Sequence, residues 1–313
     1  MDPLQKQFCP DVVGRYAPSP SGRMHLGNIF SFLISYLYVK QRNGHMVLRI
    51  EDLDPDRSKR VYIDQIFKDL EWFGFDWVGE VVYQSERFEE YQSAFTALSH
   101  KGLVYPCFCT RADLHSSQAP HIGEEFVYQG TCKSMTKDEI VARTLSGNPA
   151  YRIAVPDLEI SFTDMFQGAQ KQNLQKECGD FIIRRKDGMF AYQLAVILDD
   201  FYQGVTTVIR GIDLLSSCPR QRYLQDLLGL PHVEYGHVPL FINRNQKRLS
   251  KRDTDASLTL LQERGTSPKE ILGKLGYKAG VIPSYEPLSL DKLVKIADLT
   301  QLCNKTSVTL CVE

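Results

Sequence analysis

Arg15-Tyr16-Ala17-Pro18-Ser19-Pro20-Ser21-Gly22-Arg23-Met24-His25-Leu26-Gly27-Asn28 is the stretch on which the reading of this chain turns. Val12 to Ala17 reads as a strand, and Pro18 to Arg23 as a turn. From His25 to Arg42, apolar residues recur at Ile29, Phe30, Leu33, Ile34 and Leu37 with a helical period. Gly44 stands where a helix ends, and Met46 to Glu51 reads as a second strand. Strand, helix and strand at this spacing predict a right-handed parallel crossover. Ligands of such sheets bind beyond the carboxyl ends of the strands, which places Arg15, Ser19 and Glu51 at the expected site.

A turn rich in Pro, Ser and Gly that opens a helix presents backbone N–H groups to a phosphate. His25 can donate to charge developing on a transferring phosphate, and Gly27 admits close approach to the backbone. An isolated histidine-glycine pair is more often a satisfied helix cap; the surrounding A-P-S-P-S-G string favours the phosphate reading. Far downstream, Lys247-Arg248-Leu249-Ser250-Lys251-Arg252 supplies mobile point charges suited to the pyrophosphate end of ATP. Alone it would read as an exposed basic loop.

Composition sets the outer limits. A chain of 313 residues, 43% apolar and 24% charged, is long enough for a large core in one elaborated domain or two. The net charge of −1 gives no bulk attraction to nucleic acid, so RNA contacts would rest on local clusters. Such clusters stand at Arg57 to Arg60, Arg184 to Lys186 and Lys247 to Arg252. No leader-like segment opens the chain and no run of about 18 apolar residues marks a membrane span. A cytoplasmic protein is expected, with no membrane partner and its eight cysteines as thiols or metal ligands.

Helices are expected at Val61 to Phe73 and Glu86 to Lys101. From Pro106 to about Gly179 the pattern breaks into short apolar runs with clustered cysteines, which reads as an insertion. Strands resume at Phe181 to Arg184 and Val205 to Arg210. The expected division is 1–105 and 181–252 for two halves of the core and 106–180 for the insertion. Residues 253–313 form a short, mainly helical region with Leu258, Leu260, Leu261, Ile271, Leu272 and Leu275 in its core. Cys107 and Cys109, with Cys132 23 residues beyond, form a plausible metal knuckle. Zinc wants four ligands, and His115, His121 and Tyr128 compete for the fourth place. Three reduced cysteines without metal are the plainer alternative.

Ordered blocks along the chain resemble the class I glutamyl-tRNA synthetase family. They are R-Y-A-P-S-P-S-G-R-M-H-L-G-N from Arg15, L-R-I-E-D-L-D-P-D-R from Leu48, A-Y-Q-L-A-V-I-L-D-D from Ala191, V-I-R-G-I-D-L-L-S-S-C-P-R-Q from Val208 and K-R-L-S-K-R from Lys247. The resemblance implies an α/β fold: a Rossmann-like parallel-sheet core with a zinc-containing insertion. It assigns His25 and Gly27 to the HIGH motif and Arg248 to Arg252 to the KMSKS motif, with His25, Gly27 and Lys251 catalytic. ATP contacts follow at His25, Gly27, Asn28, Arg248, Ser250 and Lys251, with Mg2+ accompanying the nucleotide. Arg248 stands where many members carry lysine.

The resemblance places L-glutamate at Arg15, Tyr16, Ala17, Pro18, Ser19, Glu51, Tyr192 and Arg210. The chemistry agrees: each arginine can bind a carboxylate, Glu51 the ammonium, and Tyr192 offers a directional hydroxyl. Singly, Glu51 and Arg210 read equally well as halves of structural ion pairs. The C-x-C…Y-x-x-x-C pattern resembles a zinc site of the family's short glutamyl-Q branch and so selects Tyr128, giving one structural Zn2+ at Cys107, Cys109, Tyr128 and Cys132. Only 62 residues follow Lys251, too few for the large anticodon-reading region of the full-length family. The short branch has this abbreviated form and attaches glutamate to the queuosine base of tRNA(Asp). The expected partners are therefore ATP, L-glutamate and queuosine-containing tRNA(Asp), acted on by a monomer. The alternatives are a truncated enzyme charging tRNA 3′ ends, or a non-catalytic paralogue that binds glutamate or RNA.

Overall fold

The computed structural model describes residues 12–110, 127–242 and 258–309. His115, His121, Arg248, Ser250 and Lys251 lie outside the described residues. The predicted crossover is present: β1 (Val13–Tyr16), α1 (Leu26–Lys40) and β2 (His45–Ile50), with β1 and β2 parallel and Val13 opposite His45. Gly44 is required at the return, because a Cβ there would meet the Val12 carbonyl oxygen at 2.0 Å. α2 (Arg60–Phe73) ends on Gly74 in the left-handed conformation and leads to β3 (Val82–Tyr83), parallel to β2.

α3 (Phe88–His100) precedes β4 (Val104–Cys107), and the chain then enters the predicted insertion. There, α4 (Lys137–Thr144) opens on a capping box between Thr136 and Glu139. It is followed by β5 (Ala150–Ile153), β6 (Glu159–Asp164), β7 (Gly168–Asn173) and β8 (Phe181–Arg184). β4, β5 and β8 form an antiparallel sheet, so Phe181 to Arg184 joins strands of the insertion.

α5 (Tyr192–Tyr202), β9 (Thr207–Gly211), α6 (Cys218–Leu228) and β10 (Glu234–Val238) complete the parallel layer. β10 runs parallel to β9, and β6 joins its other edge through Tyr235 opposite Asp164. β9 meets β1 where the Thr206 N–H donates to the Val13 carbonyl and the Val13 N–H donates to Thr206 Oγ1, both at 3.0 Å. The order β3-β2-β1-β9-β10 reverses direction between β1 and β9. A crevice opens at such a switch point.

The C-terminal part carries β11 (Leu240–Ile242), α7 (Leu258–Glu263), α8 (Pro268–Ala279), α9 (Leu290–Ile296) and β12 (Ser307–Thr309), the last parallel to β11. Leu258, Leu261, Ile271, Leu272 and Leu275 are buried as expected, in one core with Ile29, Leu33 and Leu37 of α1, while Leu260 is half-buried. Each buried leucine contributes roughly 1.5–3 kcal/mol relative to exposure. Gln41 donates to the carbonyls of Val294 and Ala297, and Arg23 donates to Thr259 Oγ1. These bonds tie α9 and α7 to the first crossover. Among the described residues no helix is long and apolar enough to cross a membrane.

Candidate functional site

A cleft of about 400 Å3 opens at the switch point. β1 contributes Arg15, the turn contributes Ala17, Pro18 and Ser19, and the start of α1 contributes His25, Gly27 and Asn28. Glu51 follows β2, Tyr192 opens α5, and Arg210 comes from the end of β9. The structure therefore gathers into one cleft residues that the sequence separates by up to 195 positions. Tyr16 departs from the group. Its ring is fully buried against Phe32 and Phe75, with its hydroxyl unpartnered among the described residues. Strand alternation sends Tyr16 to the face opposite Arg15.

The start of α1 is built by its own side chains. His25 Nδ1 accepts the Gly27 N–H at 3.1 Å, and Asn28 Oδ1 accepts the His25 N–H at 3.1 Å. An imidazole that accepts through Nδ1 carries its proton on Nε2, so the ring is a donor on the side away from the cap. A Cβ on Gly27 would lie 2.9 Å from the His25 ring. Gly27 is thus needed first for the cap itself, a tighter reason than the approach of a phosphate. The cap itself takes up the Gly27, Asn28 and Ile29 N–H groups, so what this end of α1 offers negative charge is its dipole.

A buried ion network sits under the cleft. Asp200 accepts from Arg15 Nε at 2.7 Å and from Arg49 Nη1 at 2.8 Å. Arg49 is wholly buried and also donates to Glu51 Oε1 at 3.3 Å and to Gln203. The neighbouring Asp199 accepts from Arg87 Nε and Gln84 Nε2, each at 2.7 Å, and from the Tyr91 hydroxyl. Burial opposes ionisation of Asp200, but Arg15 and Arg49 outweigh it and hold its carboxyl below the usual range. Glu51 is different: burial prevails over Arg49 and Arg15, and its carboxyl is raised. An arriving ammonium would relieve that cost. Among the described residues Arg15 spends only Nε on a protein acceptor, which leaves its two terminal nitrogens to a ligand.

Arg210 is held on the other wall. Nε donates to His237 Nε2 at 3.0 Å, Nη1 to the Tyr192 hydroxyl at 3.1 Å, and Nη2 to Gln221 Oε1 at 2.9 Å and to the Leu214 carbonyl. Among the described residues none of its partners is a carboxylate. Burial works against its charge, yet Tyr192, Cys218 and Tyr235 around it raise the guanidinium further, so it stays a cation. A buried cation that has no carboxylate among its described partners, at the edge of a cleft, can receive an anion. Asp199, Asp200, Arg49, Asp164 and His237 were not among the predicted site residues. The adjacent acids ending the apolar run L-A-V-I-L-D-D were the one available signal, since consecutive carboxylates after buried positions demand cations.

A second cluster lies in the insertion. The sulfurs of Cys107, Cys109 and Cys132 all lie within 4.8 Å of one another, with Cys109 and Cys132 at 3.5 Å. The Tyr128 hydroxyl is 3.6 Å from Cys107 Sγ and 3.7 Å from Cys109 Sγ. A tetrahedral zinc ion with Zn–S bonds of about 2.3 Å sets its sulfurs about 3.8 Å apart, so the donor set fits a metal. Arg152 stacks on the Tyr128 ring at 3.7 Å and donates to Cys107 Sγ at 3.3 Å, which favours negative charge on the cluster.

The sequence matches the family described as tRNA synthetases class I (E and Q), catalytic domain, over residues 11–307. It is 41% identical over 303 residues to a glutamyl-Q tRNA(Asp) synthetase of Symbiobacterium thermophilum, covering 93% of this chain and 94% of that protein. It is 40% identical over 310 residues to the glutamyl-Q tRNA(Asp) synthetase of Nitratidesulfovibrio vulgaris, covering 95% of each. The fold is similar to that of a glutamate tRNA ligase crystallised from Elizabethkingia meningosepticum, with a TM-score of 0.81 at 24% identity, over 97% of this chain and 68% of that one.

Proposed function

We propose, because this chain belongs to the class I tRNA synthetases of the E and Q type and within them to the glutamyl-Q tRNA(Asp) synthetases, that its cleft makes glutamyl-adenylate and passes the glutamate to the queuosine base of tRNA(Asp). The protein is an ATP-dependent ligase that joins glutamate to tRNA. One observation carries the finer reading: two buried arginines, Arg15 and Arg210, face one cleft beside a histidine-capped helix start.

The first step is attack of the glutamate α-carboxylate on the α-phosphate of ATP, with pyrophosphate leaving. Arg15 and Arg210 hold the two carboxylates, Glu51 the ammonium, and Tyr192 orients the group that Arg210 binds. Ala17, Pro18 and Ser19 form the floor between them. His25 donates through Nε2 to the phosphate as charge builds, Gly27 keeps the capping ring in place through its N–H to Nδ1, and Asn28 secures the cap by accepting the His25 N–H at the ATP end of the cleft. Mg2+ enters as part of the nucleotide substrate. Arg248, Ser250 and Lys251 are assigned the pyrophosphate end by resemblance to the second signature. Replacing Lys251 by Ala should lower glutamate-dependent pyrophosphate exchange by ~10²-fold, read with ATP and glutamate saturating. An unchanged rate removes Lys251 from the transition state.

In the second step a hydroxyl of the queuosine cyclopentene ring attacks the mixed anhydride and AMP leaves. The anhydride is already activated, so positioning suffices and no side chain is assigned as the base. With a net charge of −1, RNA recognition rests on local basic patches and base-specific contacts. Labelled glutamate, ATP and the protein should therefore label an isolated queuosine-containing anticodon stem-loop of tRNA(Asp), and not the same stem-loop carrying guanine. Label on the terminal adenosine of a glutamate tRNA would instead establish the truncated-synthetase alternative.

The division at 1–105, 106–180, 181–252 and 253–313 belongs to this proposal, as do a cytoplasmic location and a monomeric state. The insertion would hold one structural Zn2+ on Cys107, Cys109, Tyr128 and Cys132; bound there, the metal fastens β4 to the segment before α4. Cys132→Ser should lose the metal and destabilise the insertion, measured by elemental analysis and proteolysis. Tyr128→Phe separates the ligand sets: unchanged zinc content would move the fourth position to another residue.

A further inference from the structure

Arg210 presents five N–H donors, and the fold consumes most of them before any ligand arrives. Both Nη2 hydrogens go to Gln221, the Leu214 carbonyl and Cys218 Sγ. One Nη1 hydrogen goes to Tyr192. The Nε hydrogen goes to His237 Nε2, directly across the β9–β10 ladder where His237 is the register partner of Arg210. Only Nη1 therefore keeps a donor for the cleft, and its direction is fixed by what the other nitrogens grip.

The grip at Nε depends on a proton elsewhere. Arg210 cannot deprotonate, so Nε2 of His237 must accept. The proton must then sit on Nδ1, which lies 2.5 Å from Asp164 Oδ2. The other carboxylate oxygen, Oδ1, accepts the backbone N–H groups of Phe166, Gln167 and His237 at 3.0, 2.9 and 3.1 Å. Asp164 is thus locked by the turn between β6 and β7 with its second oxygen aimed at the imidazole. Both side chains are fully buried. Burial and the Arg210 charge hold His237 below its ordinary value against the pull of Asp164, consistent with a neutral ring.

We propose that Asp164 and His237 are positioning residues for substrate recognition: Asp164 fixes the His237 tautomer, and His237 fixes the guanidinium plane of Arg210 against the substrate carboxylate. The inference rests on the reading of Arg210 as the carboxylate receptor. It adds two residues, 73 positions apart, that touch no substrate themselves.

Asp164→Asn is the discriminating variant, because it is nearly isosteric. The oxygen of the introduced carboxamide can keep the three turn hydrogen bonds, while its nitrogen faces His237 as a donor. The imidazole must then accept at Nδ1 and carry its proton on Nε2, donor against donor with Arg210 Nε–H. The glutamate KM in pyrophosphate exchange should rise about 10-fold or more, with the ATP KM within about twofold. In a His237→Gln background no tautomer can be reversed, so adding Asp164→Asn should cost less than about threefold further. An equal loss in both backgrounds, or a parallel loss for ATP, means a structural role and overturns the proposal. On the unaltered protein, 15N-labelled histidine should show His237 neutral with Nδ1 as the protonated nitrogen; a proton on Nε2 overturns it without any variant. Arg210→Ala supplies the separate control. If that change leaves the glutamate KM untouched, the receptor reading fails and this inference with it. If it raises the KM while Asp164→Asn does not, the relay alone is wrong.

Discussion

Arg210→Ala should raise the glutamate KM by roughly 10²-fold or more while the ATP KM stays within a few-fold, because truncating a buried charged donor costs about 2–5 kcal/mol at the group it served. The other side of the comparison is what makes the test sharp. Arg210 grips only neutral partners among the described residues, so its removal leaves no protein carboxylate stranded. The loss should therefore appear in binding before it appears in folding. Glutamine should also compete better against glutamate in the variant, since a neutral amide no longer forgoes an ion pair. Equal losses for ATP and glutamate, with a lowered melting temperature, would mark Arg210 as a structural cation.

Asp200→Ala should do the opposite: it should damage folding first. Asp200 is the shared acceptor of Arg15 and Arg49, and Arg49 is wholly buried. Removing it leaves Arg15 and Arg49 without their shared acceptor, with Glu51 and the more distant Asp199 as the acids remaining near Arg49. Breaking a buried pair from one side costs about 3–5 kcal/mol. The pH dependence follows from the direction of the shift. The folded carboxyl of Asp200 is lowered by Arg15 and Arg49 against the pull of burial. Its contribution is complete above the unfolded value of about 4 and is lost as pH falls through the lower folded value. Chemical denaturation of the unaltered protein should show stability falling across that acid window, and the variant should show a flatter profile there. Asp164, lowered by His237 against its own burial, adds to the same slope. A variant as stable as the parent at neutral pH would mean that the network is dispensable.

The sequence told more about the walls of the cleft than about what holds them. The crossover was legible because a short strand-like run ends at the Pro18 to Arg23 turn and a helical repeat of apolar residues follows from Leu26. The cleft residues His25, Glu51, Tyr192 and Arg210 were legible through their motifs, since each sits at the end or the start of a regular element. Arg49 and His237 were not legible, because each looks like an ordinary strand residue until three-dimensional pairing supplies its partner, whereas Asp200 left a trace in the paired acids that end an apolar run. Tyr16 shows the converse. It shares a motif with Arg15 and Ala17, yet the strand's two-residue period sends it into the core. The pairing of Phe181–Arg184 with strands of the insertion was hidden for another reason: a four-residue apolar run carries no information about its neighbour.

The shared carboxylate of Asp200 also orders events in time. Synthesis proceeds from the N-terminus at about 5–20 residues per second. Arg15 and Arg49 emerge early, on strands β1 and β2 that are ready to pair. Glu51 follows Arg49 at once, but Asp200, the carboxylate that both arginines share, arrives only with α5, and the His237 acceptor of Arg210 only with β10. For roughly 8–30 s the nascent half-sheet carries two arginines with Glu51 as the one acid of the network yet made. That unbalanced charge should act as a brake on premature closure, released when the second half of the chain brings Asp200 and lets β9 dock beside β1. A protein halted before residue 200 should accordingly remain loose at β1 however long it waits.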